Sequence, residues 1–166
     1  MGRPRSVTII GVIGVIWGLV GTVGGVALLL LLMTMPSWFN DWVRHFLSPN
    51  AVNALNDPDF HRWNYFLLAV QTGLNALLLV GAVHLLRLQP KGWWLMMGYA
   101  VAALLWAVAD RLILDLTVYE AFRQRYKLER TERLRFRITI GLLYPVLASY
   151  FLTRPKIMAL YKQDEE

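Results

Sequence analysis

Long apolar stretches alternate with polar connections along the chain. Four such stretches lie at positions 7–33, 64–86, 92–114 and 138–153. The first holds no charged residue, and the fourth is the shortest and contains Pro145. About 20 apolar helical residues span the hydrocarbon core of a bilayer. The pattern therefore predicts an all-α membrane protein with four transmembrane helices, folded as a single membrane domain over residues 1–166.

The connections between these stretches differ in length and character. The turn at 87–91 is short and predicts a tight antiparallel hairpin. In the connection at 34–63, aromatic residues recur at helical spacing opposite polar ones, which predicts an interfacial amphipathic helix after the first span. Tryptophan favours the headgroup level of a bilayer. The predicted interfacial anchors are Trp38, Trp42, Phe46, Trp63, Trp93 and Trp94.

The last connection, at 117–137, is strongly basic and lacks glycine and proline. It predicts a basic helical extension of the third span, followed by a turn, between the third and fourth spans. Such a segment is either a solvated charged helix or a surface that binds anionic lipid or an acidic partner. Its basic residues are Arg123, Arg125, Lys127, Arg130, Arg133, Arg135 and Arg137.

Small residues form a regular stripe in the first and third spans. The glycines of the first span are spaced 3, 4, 3, 4 and fall within about 80° of arc on a helix. Glycine lets two helix backbones approach closely in lipid, so the stripe predicts a close helix partner, either within this chain or in another. The predicted packing residues are Gly11, Gly14, Gly18, Gly21 and Gly25, with Ala100, Ala103 and Ala107 in the third span.

A few polar residues lie within the apolar stretches. Gln71 and Asn75 share one face of the second span, and Asp110 continues the alanine stripe of the third. Arg111 and Asp115 are four residues apart and are predicted to pair. Intramembrane polar groups either hold helices together by hydrogen bonds or form a transport or ligand site. Both interpretations stay open for these residues, as does placement of the charged group at the headgroup level.

Composition agrees with a membrane protein. Hydrophobic residues make up 57% and charged residues 17%, against about 45–50% and 25% in soluble domains. In a membrane protein, a net charge of +6 indicates basic residues that set the orientation of the chain or contact anionic headgroups, rather than residues that bind nucleic acid. The absence of cysteine excludes disulfides and thiolate chemistry. The apolar run after Arg3 and Arg5 is too long for a signal peptide and is expected to stay as the first span.

The number of basic residues on each side of the membrane indicates the orientation of the chain. Seven lie on the N-terminal side of the predicted topology and ten on the other, which favours an external N-terminus. Arg3 and Arg5 directly precede the first helix, however, and the first helix usually dominates. We expect a multi-pass protein of the cytoplasmic membrane with its N-terminus inside.

No motif indicates a catalytic or cofactor site. The sequence lacks the GxSxG, HExxH and phosphate-loop patterns, so no enzyme activity, cofactor or metal site is predicted. Haem or pigment ligation by His84 is a minor alternative, since a lone histidine is weak support. A metal site from Asp41, His45, Asp59 and His61 is equally weak, because their spacing matches no ligand motif.

Three pieces carry a resemblance to known proteins. They are the RPRSVTII start at 3–10, the LLRLQPKGWW turn at 85–94 and the LTRPK end at 152–156. With them the chain resembles small uncharacterised bacterial four-helix membrane proteins. The resemblance implies four helices with the N-terminus inside and implies no activity.

Taken together, these features favour a non-catalytic accessory or scaffold subunit of a larger membrane protein complex. Its expected partners are membrane lipids and other membrane subunits or a second copy, and no nucleic acid. Two alternatives remain: a small transporter or channel component that uses the intramembrane polar residues, and a lipid- or pigment-binding membrane protein.

Overall fold

The computed structural model describes residues 5–34, 53, 57–110, 119–127 and 133–162, with the side chains at 60, 119, 122, 126, 133–142 and 162 excepted. Every regular element in these residues is a helix. The helices are α1 (Arg5–Thr34), α2 (Pro58–Leu86), α3 (Pro90–Ala109), α4 (Tyr119–Tyr126), α5 (Arg133–Leu152) and α6 (Pro155–Lys162).

Three of the described helices are long and apolar enough to cross a membrane: α1, residues 61–86 of α2, and α3. Their outer sides carry large apolar side chains. Trp17 is 50% exposed, Val20 67% and Leu105 66%. Water would oppose such a surface, whereas lipid tails accept it. The predicted helical fold is therefore confirmed, and the three helices are compatible with a multi-pass membrane protein.

The described part of the segment between the third and fourth apolar stretches holds a helix and then a turn. Helix α4 ends at Tyr126, and Lys127 follows with a positive φ of 50°, which stops the helix. Helix α5 then begins at Arg133, so the last three basic residues of the connection belong to its first turns. Its described apolar part is Leu143–Leu152, with Pro145 inside the helix.

Neighbouring helices pack in chain order. Helix α1 lies against α2, α2 against α3, and α3 against α5. The first two run antiparallel, because Gly11 lies beside Leu86 at one end and the Tyr65 hydroxyl donates to the Leu32 carbonyl at 2.7 Å at the other. The connection between α2 and α3 is short, whereas α1 and α2 are joined by the long connection between Thr34 and Pro58.

The α2–α3 turn is closed by a Schellman motif. The N–H of Gln89 bonds to the His84 carbonyl at 3.1 Å, and the N–H of Leu88 bonds to Leu85 at 3.0 Å. Leu88 takes the left-handed conformation, φ 56°, that glycine usually takes there. Its side chain packs against the core, which offsets the backbone strain. Pro90 then starts α3 at a position where no N–H bond is needed.

Most of the buried side chains lie at one end of the bundle. We call this the turn end, comprising residues 5–11, 82–96 and 148–162. Helix α6 folds back onto it with Ile157 and Tyr161 buried. The far end comprises residues 28–34, 57–68, 104–110 and 119–127. The buried cluster consists of Val7, Ile10, Leu78, Ala82, Leu85, Met96, Tyr99, Ala148, Leu152, Ile157 and Tyr161.

Candidate functional site

The contact between α1 and α2 is lined by the glycine stripe. A Cβ atom added at Gly18 would lie 2.7 Å from the backbone nitrogen of Leu79 and 2.8 Å from its Cα. Backbone atoms cannot rotate aside, so any larger residue at this position separates the two helices. The stripe therefore faces α2 of the same chain at this point.

The other stripe glycines also face neighbouring residues, mainly through side chains. Gly24 lies on a different side of α1, and a Cβ added there would meet nothing within 4 Å. The close approach is thus confined to one face of the helix. The pairs are Gly11 with Leu86, Gly14 with Tyr144 and Ala82, Gly21 with Asn75, and Gly25 with Thr72.

Tyr144 joins α5 to the same contact. Its hydroxyl donates a hydrogen bond of 3.0 Å to the backbone carbonyl of Ile10 in α1. A Cβ added at Gly14 would lie 2.5 Å from that hydroxyl. The missing side chain at Gly14 therefore makes room for the tyrosine. Gly14 thus contributes to the contact of α1 with α2, through Ala82, and to its contact with α5, through Tyr144.

Polar side chains beside the stripe have different surroundings. Asn75 is 6% exposed, and its amide lies against Gly21. Gln71, expected on the same face, is exposed. The Thr72 hydroxyl donates to the Leu68 carbonyl at 2.6 Å, whereas the buried Thr22 hydroxyl has no hydrogen-bond partner in the described part of the chain. The two amides therefore do not form one common site.

The alanine stripe of α3 is covered unevenly. Ala100 is fully buried, while Ala103 and Ala107 are half-buried. Asp110 ends the helix, and its backbone N–H bonds to the carbonyls of Ala107 and Trp106. Its side chain is half-buried and engaged in an interaction. Arg111 and Asp115, its expected neighbours, lie outside the described residues.

Part of the basic connection is tied to the start of α2. Asp57 is buried and accepts a 2.8 Å bond from the N–H of Asp59, which caps the helix. Its other oxygen accepts a 3.1 Å bond from the Arg125 guanidinium. Arg123 pairs with Glu120 at 2.6 Å, while Lys127 is exposed. Two of these cations are thus engaged with acids. Arg130 lies outside the described residues, as do the side chains of Arg133, Arg135 and Arg137.

The predicted anchors differ in exposure. The Trp93 indole donates to the Leu152 carbonyl at 3.0 Å and so links α3 to α5. Its ring meets that of Trp94 edge to face at 4.8 Å, and Trp94 is 65% exposed. Trp63 is exposed at the far end. Trp38, Trp42 and Phe46 lie outside the described residues.

His84 lies in the last turn of α2, and its Nδ1 is hydrogen-bonded to the Gln89 side chain. It therefore helps to hold the α2–α3 turn. A haem or pigment could be bound only through the other ring nitrogen, Nε2. The described residues contain no group of three His, Asp or Glu side chains close enough to hold a metal. Asp41 and His45, which the weak metal hypothesis needs, lie outside them.

Several structural residues had no signal in the sequence. The Tyr144 and Tyr161 hydroxyls donate to distant carbonyls, Tyr161 to that of Leu85 at 3.2 Å. Arg125 and Asp57 are 68 positions apart. Spacing along one helix does not reveal such long-range pairs. Tyr144 could have been suspected because it is a polar residue in an apolar stretch, whereas Tyr161 lies beyond the fourth stretch and had no such signal.

Comparison with protein-family models, with curated proteins and with solved structures finds no match.

Proposed function

We propose that the chain is a non-catalytic accessory or scaffold subunit of a larger membrane protein complex. In this proposal the chain crosses the bilayer four times, with α5 as the fourth crossing. The connection at 34–63 contributes an interfacial amphipathic helix, and the connection at 117–137 contributes a basic helical extension. The chain packs its own helices through the glycine stripe and presents its outer surface to another subunit.

The exposed amide of Gln71 carries the proposal. It lies within the apolar span of α2, between His61 and Leu86. An amide exposed to hydrocarbon lacks the hydrogen bonds that water would supply, which costs free energy. A helix of a neighbouring subunit can supply those bonds, and such interhelical bonds stabilise association by about 0.6 kcal/mol each. Gly24, Gly73 and Gly98 are also exposed, and their surroundings are open enough to admit another backbone.

The position of α5 supports the fourth crossing. It packs along α3, with Leu152 beside Trp93 and Tyr144 beside Tyr99. These two pairs place α5 antiparallel to α3. A helix of 20 residues is about 30 Å long, which matches the hydrocarbon core. The three arginines at 133, 135 and 137 belong to the first turns of α5, at the end of the proposed crossing, where headgroups favour positive charge.

The proposal places the N-terminus inside, and Arg3 and Arg5 directly before α1 support this orientation. In this orientation the turn end faces the cytoplasm. Reporter fusions after residue 35, within the α2–α3 turn and after residue 166 test it. Activity of a cytoplasmic reporter is expected at the last two positions and a periplasmic signal at the first. The reverse pattern would refute it.

The subunit proposal is tested by gentle detergent extraction of the tagged full chain and measurement of its mass. Wild-type protein is expected to run with a partner at a defined stoichiometry. Gln71→Leu is expected to weaken that association, whereas Val80→Leu, an exposed apolar position of the same helix, leaves it intact. A wild-type protein that remains a lone monomer in every mild detergent contradicts the proposal.

A second candidate is a small transporter or channel component. It is favoured by the buried Thr22 hydroxyl without a hydrogen-bond partner in the described structure, close along α1 to Gly21 and its neighbour Asn75. Proton, sodium and potassium flux into vesicles containing the purified protein would test it. Asn75→Leu and Asp110→Asn are each expected to abolish a specific flux. A flux equal to that of protein-free vesicles rules this candidate out.

A further inference from the structure

The described surface of the turn end carries exposed cations and no acid. Three segments form this surface: the start of α1, the α2–α3 turn and the junction of α5 with α6. Residues 5–11, 82–96 and 148–162 contain no Asp or Glu. The exposed cations are Arg5, Arg87, Lys91, Arg154 and Lys156. The far end is different, because there Arg62, Arg123 and Arg125 each pair with a carboxylate.

Among these cations, Arg154 is held in a fixed position. Its guanidinium carbon lies 4.9 Å from the ring centroid of Tyr150 and 4.9 Å from that of Phe151. Its Nη2 donates to the Tyr150 hydroxyl at 3.0 Å. The side chain is exposed despite these contacts. Because the planar fork is already ordered, binding an anion costs little further side-chain entropy.

The depth of Arg154 matches the headgroup region. It follows directly after the end of α5, whose Leu152 carbonyl is bonded to Trp93 in the first turn of α3. Trp94 beside it is 65% exposed, as suits a ring at the boundary between hydrocarbon and headgroups. Lys156 is exposed two residues further on, while Ile157 fixes α6 in the core. The phosphate of a lipid in this leaflet therefore lies at the level of the guanidinium.

We propose that Arg154 and Lys156 form the centre of a binding site for the phosphate of an anionic phospholipid, in the leaflet that the turn end contacts. The site accepts the phosphate through the guanidinium fork, the lysine adds charge, and the neighbouring aromatic rings contact the acyl chain. Arg87 and Lys91 extend the attractive field around it. This site is separate from the basic connection at 117–137 and does not depend on the chain being a subunit.

Native mass spectrometry of the full chain in a neutral detergent tests the proposal. The protein is titrated with dioleoylphosphatidylglycerol or dioleoylphosphatidylcholine, and the retained lipid adducts are counted. Phosphatidylglycerol is expected to bind about tenfold more tightly than phosphatidylcholine, because both lipids carry the phosphate but the choline cation of the latter neutralises its charge and repels Lys156. Arg154→Gln should remove about that factor. Arg154→Lys should lose about threefold, because it keeps the charge without the fork.

Arg62→Gln is the matched control, because it removes the same charge from a side chain that is 82% exposed at the far end. Its phosphatidylglycerol affinity should equal that of the wild type. Lys156→Gln, which leaves the Arg154 ring contacts in place, should lose about threefold. Equal losses in Arg154→Gln and Arg62→Gln would show an effect of net charge alone and overturn the site. Unchanged binding in Arg154→Gln and Lys156→Gln, or displacement of the lipid by equimolar glycerol phosphate, would also overturn it.

Discussion

The two ends of the helix bundle are held together by different interactions. At the turn end, tyrosine and tryptophan side chains donate hydrogen bonds to backbone carbonyls of other helices. Trp93 reaches Leu152 and Tyr161 reaches Leu85, and just inside this end Tyr144 reaches Ile10. At the far end, Tyr65 donates such a bond to Leu32, and an ion pair between Asp57 and Arg125 connects α4 to α2.

This difference follows from what each end must do in a membrane. Hydrocarbon supplies no hydrophobic force between helices, so close approach and hydrogen bonds must hold them. Within the described ranges, three such bonds lie at or just inside the turn end, where four helix ends and α6 converge. The far end keeps its charges in partly exposed pairs that contribute little to stability. We therefore expect substitutions toward the turn end to cost more than matched substitutions at the far end.

The largest effect is expected at Gly18, midway between the two ends. In Gly18→Leu the new side chain must displace the Leu79 backbone and separate α1 from α2. We expect a loss of about 3 kcal/mol in the free energy of unfolding. Unfolding in mixed micelles of a mild detergent and dodecyl sulfate measures it. Gly24→Leu, which meets open space, should unfold like the wild type, and an equal loss there would refute the orientation of the stripe.

A smaller loss is expected at Gly92, within the turn end. A Cβ at this position would contact the backbone of Leu85 and His84. Gly92→Ala should therefore spread the α2–α3 hairpin and cost about 2 kcal/mol in the same unfolding assay. Gly98→Ala on the exposed side of α3 is the control and should be neutral. If both alanine variants are neutral, the hairpin is looser than described.

The hydrogen bonds between helices come next in size. Tyr144→Phe removes the donor to Ile10 but keeps the ring, and we expect a loss of about 0.6 kcal/mol. Tyr65→Phe removes the matching bond to Leu32 at the far end. Hydrogen exchange of the Ile10 and Leu32 regions separates the local effects. The proposed difference between the two ends is wrong if only Tyr65→Phe, the far-end variant, raises the hydrogen-exchange rate of its neighbouring residues.

The smallest effect is expected from the far-end ion pair. Arg125 is 62% exposed, so Arg125→Gln should cost about 0.5 kcal/mol or less, and high salt should reduce that cost further. Asp57→Ala should cost more, about 1 kcal/mol, because it also removes the cap of α2. Urea or dodecyl sulfate titrations at low and high salt compare them. A salt-insensitive loss in Arg125→Gln would indicate a buried pair instead.

The helices and the glycine face could be predicted from the sequence because both depend on local periodicity. Apolar runs without charge indicated α1 and α2, and the regular spacing of Gly11 to Gly25 indicated a packing face. The identity of the partner could not be predicted, since a glycine face fits α2 or another chain equally well. The exposure of Gln71 could not be predicted either, because it depends on how α2 is rotated about its own axis between its neighbours.

Tertiary packing explains the remaining differences. Leu88 adopts a backbone conformation that its residue type disfavours, because its side chain packs on the core. A turn after the basic helix was expected, but its position at Lys127 could not be predicted, because that segment lacks glycine and proline, the usual signals of a helix end. Helix α6 was not expected, because its eight residues are too few to give a clear periodic pattern. Its apolar side is buried against the other helices, and that contact is not visible in the sequence.

The central claim is that the glycine face of α1 packs on α2 of the same chain. The chain has no cysteine, so paired substitutions can be cross-linked without background. A Cβ at Gly25 would lie 3.1 Å from the Cβ of Thr72, so mild oxidation of Gly25→Cys with Thr72→Cys should form a disulfide within the monomer. Gly24→Cys with Thr72→Cys should form none. Cross-linked dimers from the first pair, or equal monomer cross-linking of both pairs, would contradict the account.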